Sequence, residues 1–416
     1  MDFINLFKKS ISAFFVRGLG ALSMFLLNFI LVKVMDLHDA GGVLFLISIV
    51  MILGPFFVLG LHQASLRFIG QYDFNEDDIK ILSFVSFSRT VVFFSGLLFC
   101  LVLWFIIPFF YFLFPFDISS DFVFKFLVAS FLYSFVVLFS HELQALGRYK
   151  SSIFVLSISI PAFICLGILL LGFSSFDDVV SLYLLSCLIA AIIGYFLSVS
   201  FKNKRSLCED RNLVLSCMFP LWIYSVMQSL IIWGGPLFAG FLGEADDVAF
   251  LSVSQRTANL ISFVLMAVNM IVAPKFSAMY HRGDIDRLQS LVRNSILIMA
   301  LISFPFAIVL LFFTDYVLSI YGEEFYGAKQ ILIVLTLGQI FNVVTGPVSI
   351  LLIMCGFEVV MRNIVLFIAP LLVLLSFGLE SIFGTLGIAI ATCLCVIIQN
   401  SMAVYYVKKR IKIKIF

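Results

Sequence analysis

The chain is cut into twelve apolar runs, at 11–34, 41–66, 81–107, 122–146, 151–173, 179–201, 213–240, 247–273, 290–313, 328–355, 362–379 and 383–407. A helix crosses a hydrocarbon core of about 30 Å with roughly 20 residues. Lipid satisfies no backbone hydrogen bond, so only helices and closed barrels cross it. The runs do not alternate with period two, which excludes barrel strands and predicts an all-α polytopic membrane protein of about 12 transmembrane helices. No connecting segment exceeds about 16 residues, which leaves no room for a soluble domain. The first run follows Lys8 and Lys9, but it lacks a small-x-small cleavage site and is long for a signal peptide. It is read as a retained helix.

Composition agrees. Of 416 residues, 62% are hydrophobic and 12% charged, against roughly 45–50% and about 25% in soluble chains. A cytosolic enzyme, a nucleic-acid binder, a disordered scaffold and a secreted disulfide framework are all disfavoured. The net charge of +2 says little, but its distribution says more. With the N-terminus inside, 20 of the 26 Lys and Arg fall in inside segments and 3 (Lys33, Lys125 and Lys329) fall outside. That asymmetry predicts a multi-pass protein with both termini cytoplasmic.

The most charged inside segment, Lys202 to Arg211, separates spans six and seven. The flanking halves share local sequence. Leu37-His38-Asp39-Ala40 aligns with Leu242-Gly243-Glu244-Ala245 at an offset of 205, and Arg67-Phe68 with Tyr72 aligns with Lys275-Phe276 with Tyr280 at an offset of 208. The expected organisation is an N-lobe of spans 1–6 over residues 1–201, a cytoplasmic linker over 202–212, and a C-lobe of spans 7–12 over 213–416. Six spans per half make this a parallel repeat, and repeat interfaces are where transporters place their substrates.

Catalytic and cofactor chemistry has no foothold in the sequence. There is no P-loop, no H-E-x-x-H and no G-x-S-x-G. The four histidines (His38, His62, His141 and His281) are far apart in sequence. Cys393 and Cys395 point to different faces of a helix, which argues against a metal site. No catalytic residue, metal ligand or cofactor is expected, and no enzyme activity.

Three arginines, Arg17, Arg89 and Arg256, fall inside spans. Each costs about 2.5–3.5 kcal/mol at a helix centre, so each needs a reason. The carboxylates nearest the spans, Glu142, Glu358 and Glu380, sit at span ends. Buried ion pairs are therefore not expected to satisfy all three arginines, and a cationic cavity that receives an anion is. Arg17, at about 9 Å from the inside end of its span, is within snorkelling reach, whereas Arg256 is about 13 Å deep. On span eight, Ser252, Gln255, Arg256, Asn259, Ser262 and Asn269 share one face. On span one, Ser10, Arg17, Ala21, Met24 and Asn28 form a stripe of small and polar groups, and span seven offers Tyr224 and Gln228 one turn apart. Such stripes face a bundle interior or water. Gly54-Pro55, Gly234-Gly235-Pro236 and Gly346-Pro347 suggest bendable helices.

Later motifs include Ala273-Pro274-Lys275-Phe276-Ser277, then Tyr280 and Gly283-Asp284, then Tyr321-Gly322-Glu323-Glu324-Phe325, then Leu337-Gly338-Gln339 with Asn342, Gly346 and Cys355-Gly356. In their order and spacing, with the Arg17-Gly18 start, they resemble polysaccharide transporters of the MOP flippase superfamily, especially Wzx-type O-antigen flippases. The resemblance implies two six-helix lobes around a central V-shaped cavity. It implies flipping of an undecaprenyl-pyrophosphate-linked oligosaccharide, an O-antigen or capsule repeat unit, across the bacterial cytoplasmic membrane by alternating access. Related lipid II flippases place arginines on helices one and eight of that cavity, and Arg17 and Arg256 match by helix. The partners implied are a lipid-linked anionic oligosaccharide, membrane lipid, Na+ or H+ as a coupling ion, and other membrane proteins of polysaccharide assembly. Nucleic acid is not among them.

The competing readings are a cation-coupled drug or organic-cation antiporter of the same superfamily, a membrane polymerase or glycosyltransferase of polysaccharide assembly, and a passive scaffold. The antiporters often use a membrane-embedded acid, the enzymes usually carry a large outer loop, and polar stripes disfavour the scaffold. The outer segments 108–121 and 314–327 are short and lack clustered catalytic groups.

Overall fold

The structure is a computed structural model, and it describes residues 3–74, 77–109, 119–198 and 211–413, with some side chains excepted. Much of the linker 202–212 and of the outer segment 108–121 lies outside the described residues. The described chain is helical: α1 (Phe3–Val34), α2 (Leu37–Phe57), α3 (Leu61–Phe74), α4 (Asp78–Ile106), α5 (Ser120–Ala145), α6 (Tyr149–Ile153), α7 (Ser159–Leu171), α8 (Phe176–Ser198), α9 (Arg211–Leu242), α10 (Ala245–His281), α11 (Ile285–Phe312), α12 (Thr314–Ser319), α13 (Lys329–Thr345), α14 (Val348–Met354), α15 (Glu358–Phe383) and α16 (Thr385–Tyr406). Among the described residues 11 segments are long and apolar enough to span a membrane, and the shorter apolar stretch Gly18–Val34 coincides with the expected first span.

Two helices begin where a short polar side chain replaces a missing backbone acceptor. Asp77 accepts from the Lys80 amide at 3.1 Å ahead of α4, and Ser119 accepts from the Phe122 amide at 3.1 Å ahead of α5. Outer faces are apolar and open. Phe94, Leu98, Leu101 and Phe105 on α4 repeat at helical spacing and are exposed, as are Leu297, Leu301, Phe304, Ile308 and Phe312 on α11. Surfaces of this kind belong in lipid.

By packing, the chain divides into two compact units, Phe15–Ala245 and Asp246–Phe416, the latter taking in Met1–Phe14. In the first, α5 is central, touching α2, α3, α4 and α8, while α9 packs on α2 and α3. In the second, α16 packs on α13 and α15, α11 packs on α13, and Ile261, Met299, Ala307, Leu310 and Val343 form a buried cluster.

Three spans are interrupted. The second breaks at Val58–Gly60 between α2 and α3. Pro55 lies inside α2, three residues before the break. The freed carbonyls are taken up by neighbouring helices: the Trp222 indole donates to Phe56 O at 2.8 Å, and the Ser95 hydroxyl donates to Phe57 O at 2.8 Å. Gly60 sits at φ +78°, where a Cβ would come within 2.6 Å of the Trp222 backbone nitrogen, so only glycine brings α3 this close to α9. The tenth span breaks at Gly346-Pro347, between α13 and α14. The fifth widens into a π turn over Phe154–Ile158, just before Pro161, which has no N–H to offer the preceding turn. By contrast α9 runs through Pro220 and Gly234-Gly235-Pro236 as one helix. Transmembrane helices tolerate proline where neighbours re-satisfy the backbone.

Candidate functional site

The expected site residues fall in both units. In the second, α10 carries Ser252, Gln255, Arg256, Asn259 and Ser262 at three- and four-residue steps, hence on one face. Ser252 is buried, Gln255 and Arg256 are half-buried, and Asn259 is exposed. Hydrocarbon does not satisfy an amide, so an open polar face at mid-span is a solvated face.

Beneath that face lies a group of neutral polar side chains from three spans. Gln339 Nε2 of α13 donates to Asn259 Oδ1 at 3.0 Å, and the Ser262 hydroxyl donates to Gln339 Oε1. Asn342 Nδ2 donates to Ser262 Oγ at 3.2 Å and to Gln339 Oε1 at 3.3 Å. Asn400 Nδ2 of α16 donates to Asn342 Oδ1 at 3.1 Å and to Val396 O at 3.0 Å. The sequence displays Gln339 and Asn342 within a motif and Asn400 as a polar residue in an apolar span, but nothing in it says that they meet.

In the first unit the geometry is different. Arg89 Nη2 donates to Glu142 Oε2 at 2.7 Å and to Ser198 Oγ at 2.9 Å, and its guanidinium carbon lies 5.0 Å from the Phe139 ring centre and 5.5 Å from that of Tyr195. Glu142 is 1% exposed and Arg89 is 20% exposed. Of the three in-span arginines, Arg89 is thus satisfied by a carboxylate at a span end. Glu142 sits near the end of α5, yet α4 and α8 close over it, and the ion pair compensates both buried charges. Arg89 also edges a surface groove of about 380 Å³, with Phe93, Phe94 and Phe135 among its walls.

Asn28 of α1 is 1% exposed, and neither of its side-chain polar atoms has a partner among the described residues. Tyr224 and Gln228 are half-buried on α9. The backbone of Arg17 lies in α1, and its side chain is outside the described atoms. His62 and His141, 79 positions apart in sequence, meet edge to face with ring centres 4.9 Å apart, and His141 Nδ1 lies 2.8 Å from Val137 O. Among the described residues, no group of three or more His, Cys, Asp or Glu side chains could hold a metal ion.

Comparisons with known proteins agree on the fold. Residues 220–377 match the MatE family. Among curated proteins none matches the sequence. Among solved structures, the lipid II flippase MurJ in an inward closed conformation superposes with a TM-score of 0.74 at 14% identity, over 97% of this chain and 87% of that one. An inward-facing multidrug resistance MATE family transporter of the MOP superfamily gives 0.69 at 14% identity, over 99% and 95%. A MOP superfamily transporter from Pyrococcus furiosus, described as having a binding pocket of reversed polarity, gives 0.66 at 14% identity, over 97% and 96%. These proteins are membrane transporters and flippases. At such identities the likeness speaks for the fold: this is a multi-pass membrane protein with the all-α fold seen in these solved transporters, and its residues 220–377 match the MatE family.

Proposed function

We propose that the protein flips an undecaprenyl-pyrophosphate-linked oligosaccharide, an O-antigen or capsule repeat unit, from the cytoplasmic to the outer leaflet of the bacterial cytoplasmic membrane. The observation that carries this reading is the polar face of α10, where Arg256 stands among Ser252, Gln255 and Asn259 on a spanning helix. A guanidinium binds two phosphate oxygens at once, and neutral amides and hydroxyls suit sugar hydroxyls. Among the described residues Glu142 is the one buried carboxylate, and Arg89 occupies it. A cation antiporter needs an acid free to take a cation or proton, so this pairing favours the anionic substrate. The structural likeness to the lipid II flippase MurJ supports a lipid-linked substrate, and the likeness to multidrug transporters supplies the competing reading.

The deciding experiment is deletion of the gene in its own host. Cells without the protein accumulate unpolymerised lipid-linked oligosaccharide on the inner leaflet and lose surface polysaccharide. Unchanged surface polysaccharide in a strain with no second flippase rejects the reading. The orientation that goes with it has its own test. Single cysteines at Glu244 and Glu323 label in intact cells, and those at Gly283 and Asn363 label only after permeabilisation.

A further inference from the structure

The amide chain of the second unit has a direction, and its buried end sets that direction. Asn400 is 5% exposed, and it faces the backbone carbonyl of Val396 at 3.0 Å. A carbonyl oxygen only accepts, so the Asn400 atom facing it is the nitrogen. The same nitrogen reaches Asn342 at 3.1 Å, so Asn342 presents its oxygen there and turns its own nitrogen toward Ser262 Oγ and Gln339. Gln339 answers with its oxygen, which also accepts from the Ser262 hydroxyl. Its nitrogen therefore points the other way, to Asn259 at 3.0 Å, and Asn259 meets it with oxygen. What remains at the exposed end is the Asn259 –NH2 group, a pure donor, one helical turn from Arg256.

An isolated asparagine is ambivalent, since its oxygen and nitrogen ends are nearly the same size and either orientation fits. Here four side chains remove the ambiguity. We infer that Gln339, Asn342 and Asn400 are positioning residues that hold Asn259 as a fixed hydrogen-bond donor beside Arg256, so that the exposed face of α10 selects phosphate oxygens and rejects cations. The inference deepens the flippase reading and rests on it for the lipid-linked pyrophosphate as the ligand. The donor polarity itself follows from the network alone.

The test uses the purified full-length protein in detergent, with undecaprenyl pyrophosphate, dodecyl phosphate and tetraphenylphosphonium as probes and binding followed by thermophoresis. Loss of one neutral hydrogen bond corresponds to about a three- to tenfold weakening. Asn400→Leu weakens undecaprenyl pyrophosphate binding by that factor, and Gln339→Leu, a second way to release Asn259, does the same. Neither weakens it further once Asn259→Ala is present, because both act through Asn259. Asn259→Asp loses the phosphate probes by tenfold or more and gains tetraphenylphosphonium.

If Asn400→Leu and Gln339→Leu weaken binding equally with and without Asn259→Ala, the network only supports the fold and the inference falls. If Asn259→Asp binds undecaprenyl pyrophosphate like the unaltered protein, the donor role falls and the flippase reading stands. Asn259-dependent binding of dodecyl phosphate without binding of undecaprenyl pyrophosphate upholds the donor and overturns the proposed substrate. Preference of the unaltered protein for tetraphenylphosphonium overturns both.

Discussion

Two polar clusters lie within the spans, one in each unit, and they are built on opposite plans. The cluster around Arg89 is closed: a carboxylate, a hydroxyl and two aromatic faces use the guanidinium, and Glu142 is almost wholly buried. The cluster along α10 is graded, with Asn400 buried at its inner end and Asn259 exposed at its outer end. A buried ion pair returns little net stability but is costly to break from one side. A graded neutral network leaves an end for something else to meet. The contrast separates a charge that holds helices together from a face suited to a ligand.

The largest expected effect comes from removing one partner of the ion pair. Glu142→Leu strands the Arg89 cation among α4, α5 and α8, and it is expected to destabilise the protein by about 3–5 kcal/mol. Thermal unfolding in detergent reads this directly. Replacing both partners, Arg89→Leu with Glu142→Leu, restores most of that stability, since a well-packed apolar pair is often neutral or better. A double variant as unstable as the single one would assign Arg89 a role beyond pairing.

The second comes from the open face. Arg256→Ala is expected to weaken substrate binding by about 1.5–3 kcal/mol, some ten- to hundredfold. Arg256→Lys falls between, because an ammonium keeps the charge and loses the planar fork. Binding of undecaprenyl pyrophosphate to the purified variants gives the order.

The smallest expected effect lies at the interrupted second span. Trp222→Phe keeps the ring and removes one donor to Phe56 O, which still accepts from the Leu59 amide at 3.4 Å, at a cost of about 0.5–1.5 kcal/mol for the lost hydrogen bond. Unfolding temperature measures it, and transport per folded molecule is expected to stay the same.

The spans were readable because the length of an apolar run is a property of the run itself. The helices cover every expected span, with differences at the ends and at the interruptions. Gly54-Pro55 marks the second span as bendable, while the interruption itself lies at Val58–Gly60, where Gly60 fits against α9 and Trp222 donates to Phe56 O. The position of Glu142 at a span end is legible, but its pairing with Arg89 is not, because the contacts come from α4 and α8. The polar face of α10 was legible from spacing along one helix. The layer behind it, Gln339, Asn342 and Asn400, was not, because it is assembled across three helices and periodicity says nothing about which faces meet.

The proposed division of labour gives the substrate to the polar face of α10 and a structural role to the Arg89–Glu142 pair. The most direct measurement is surface polysaccharide, with lipid-linked oligosaccharide on the inner leaflet as its counterpart, in a deletion strain complemented at equal membrane levels. Arg256→Ala is expected to lose surface polysaccharide and accumulate the lipid-linked intermediate, and the double Arg89→Leu, Glu142→Leu variant to behave like the unaltered protein. Full complementation by Arg256→Ala, or failure of the double variant at matched level, would contradict the account.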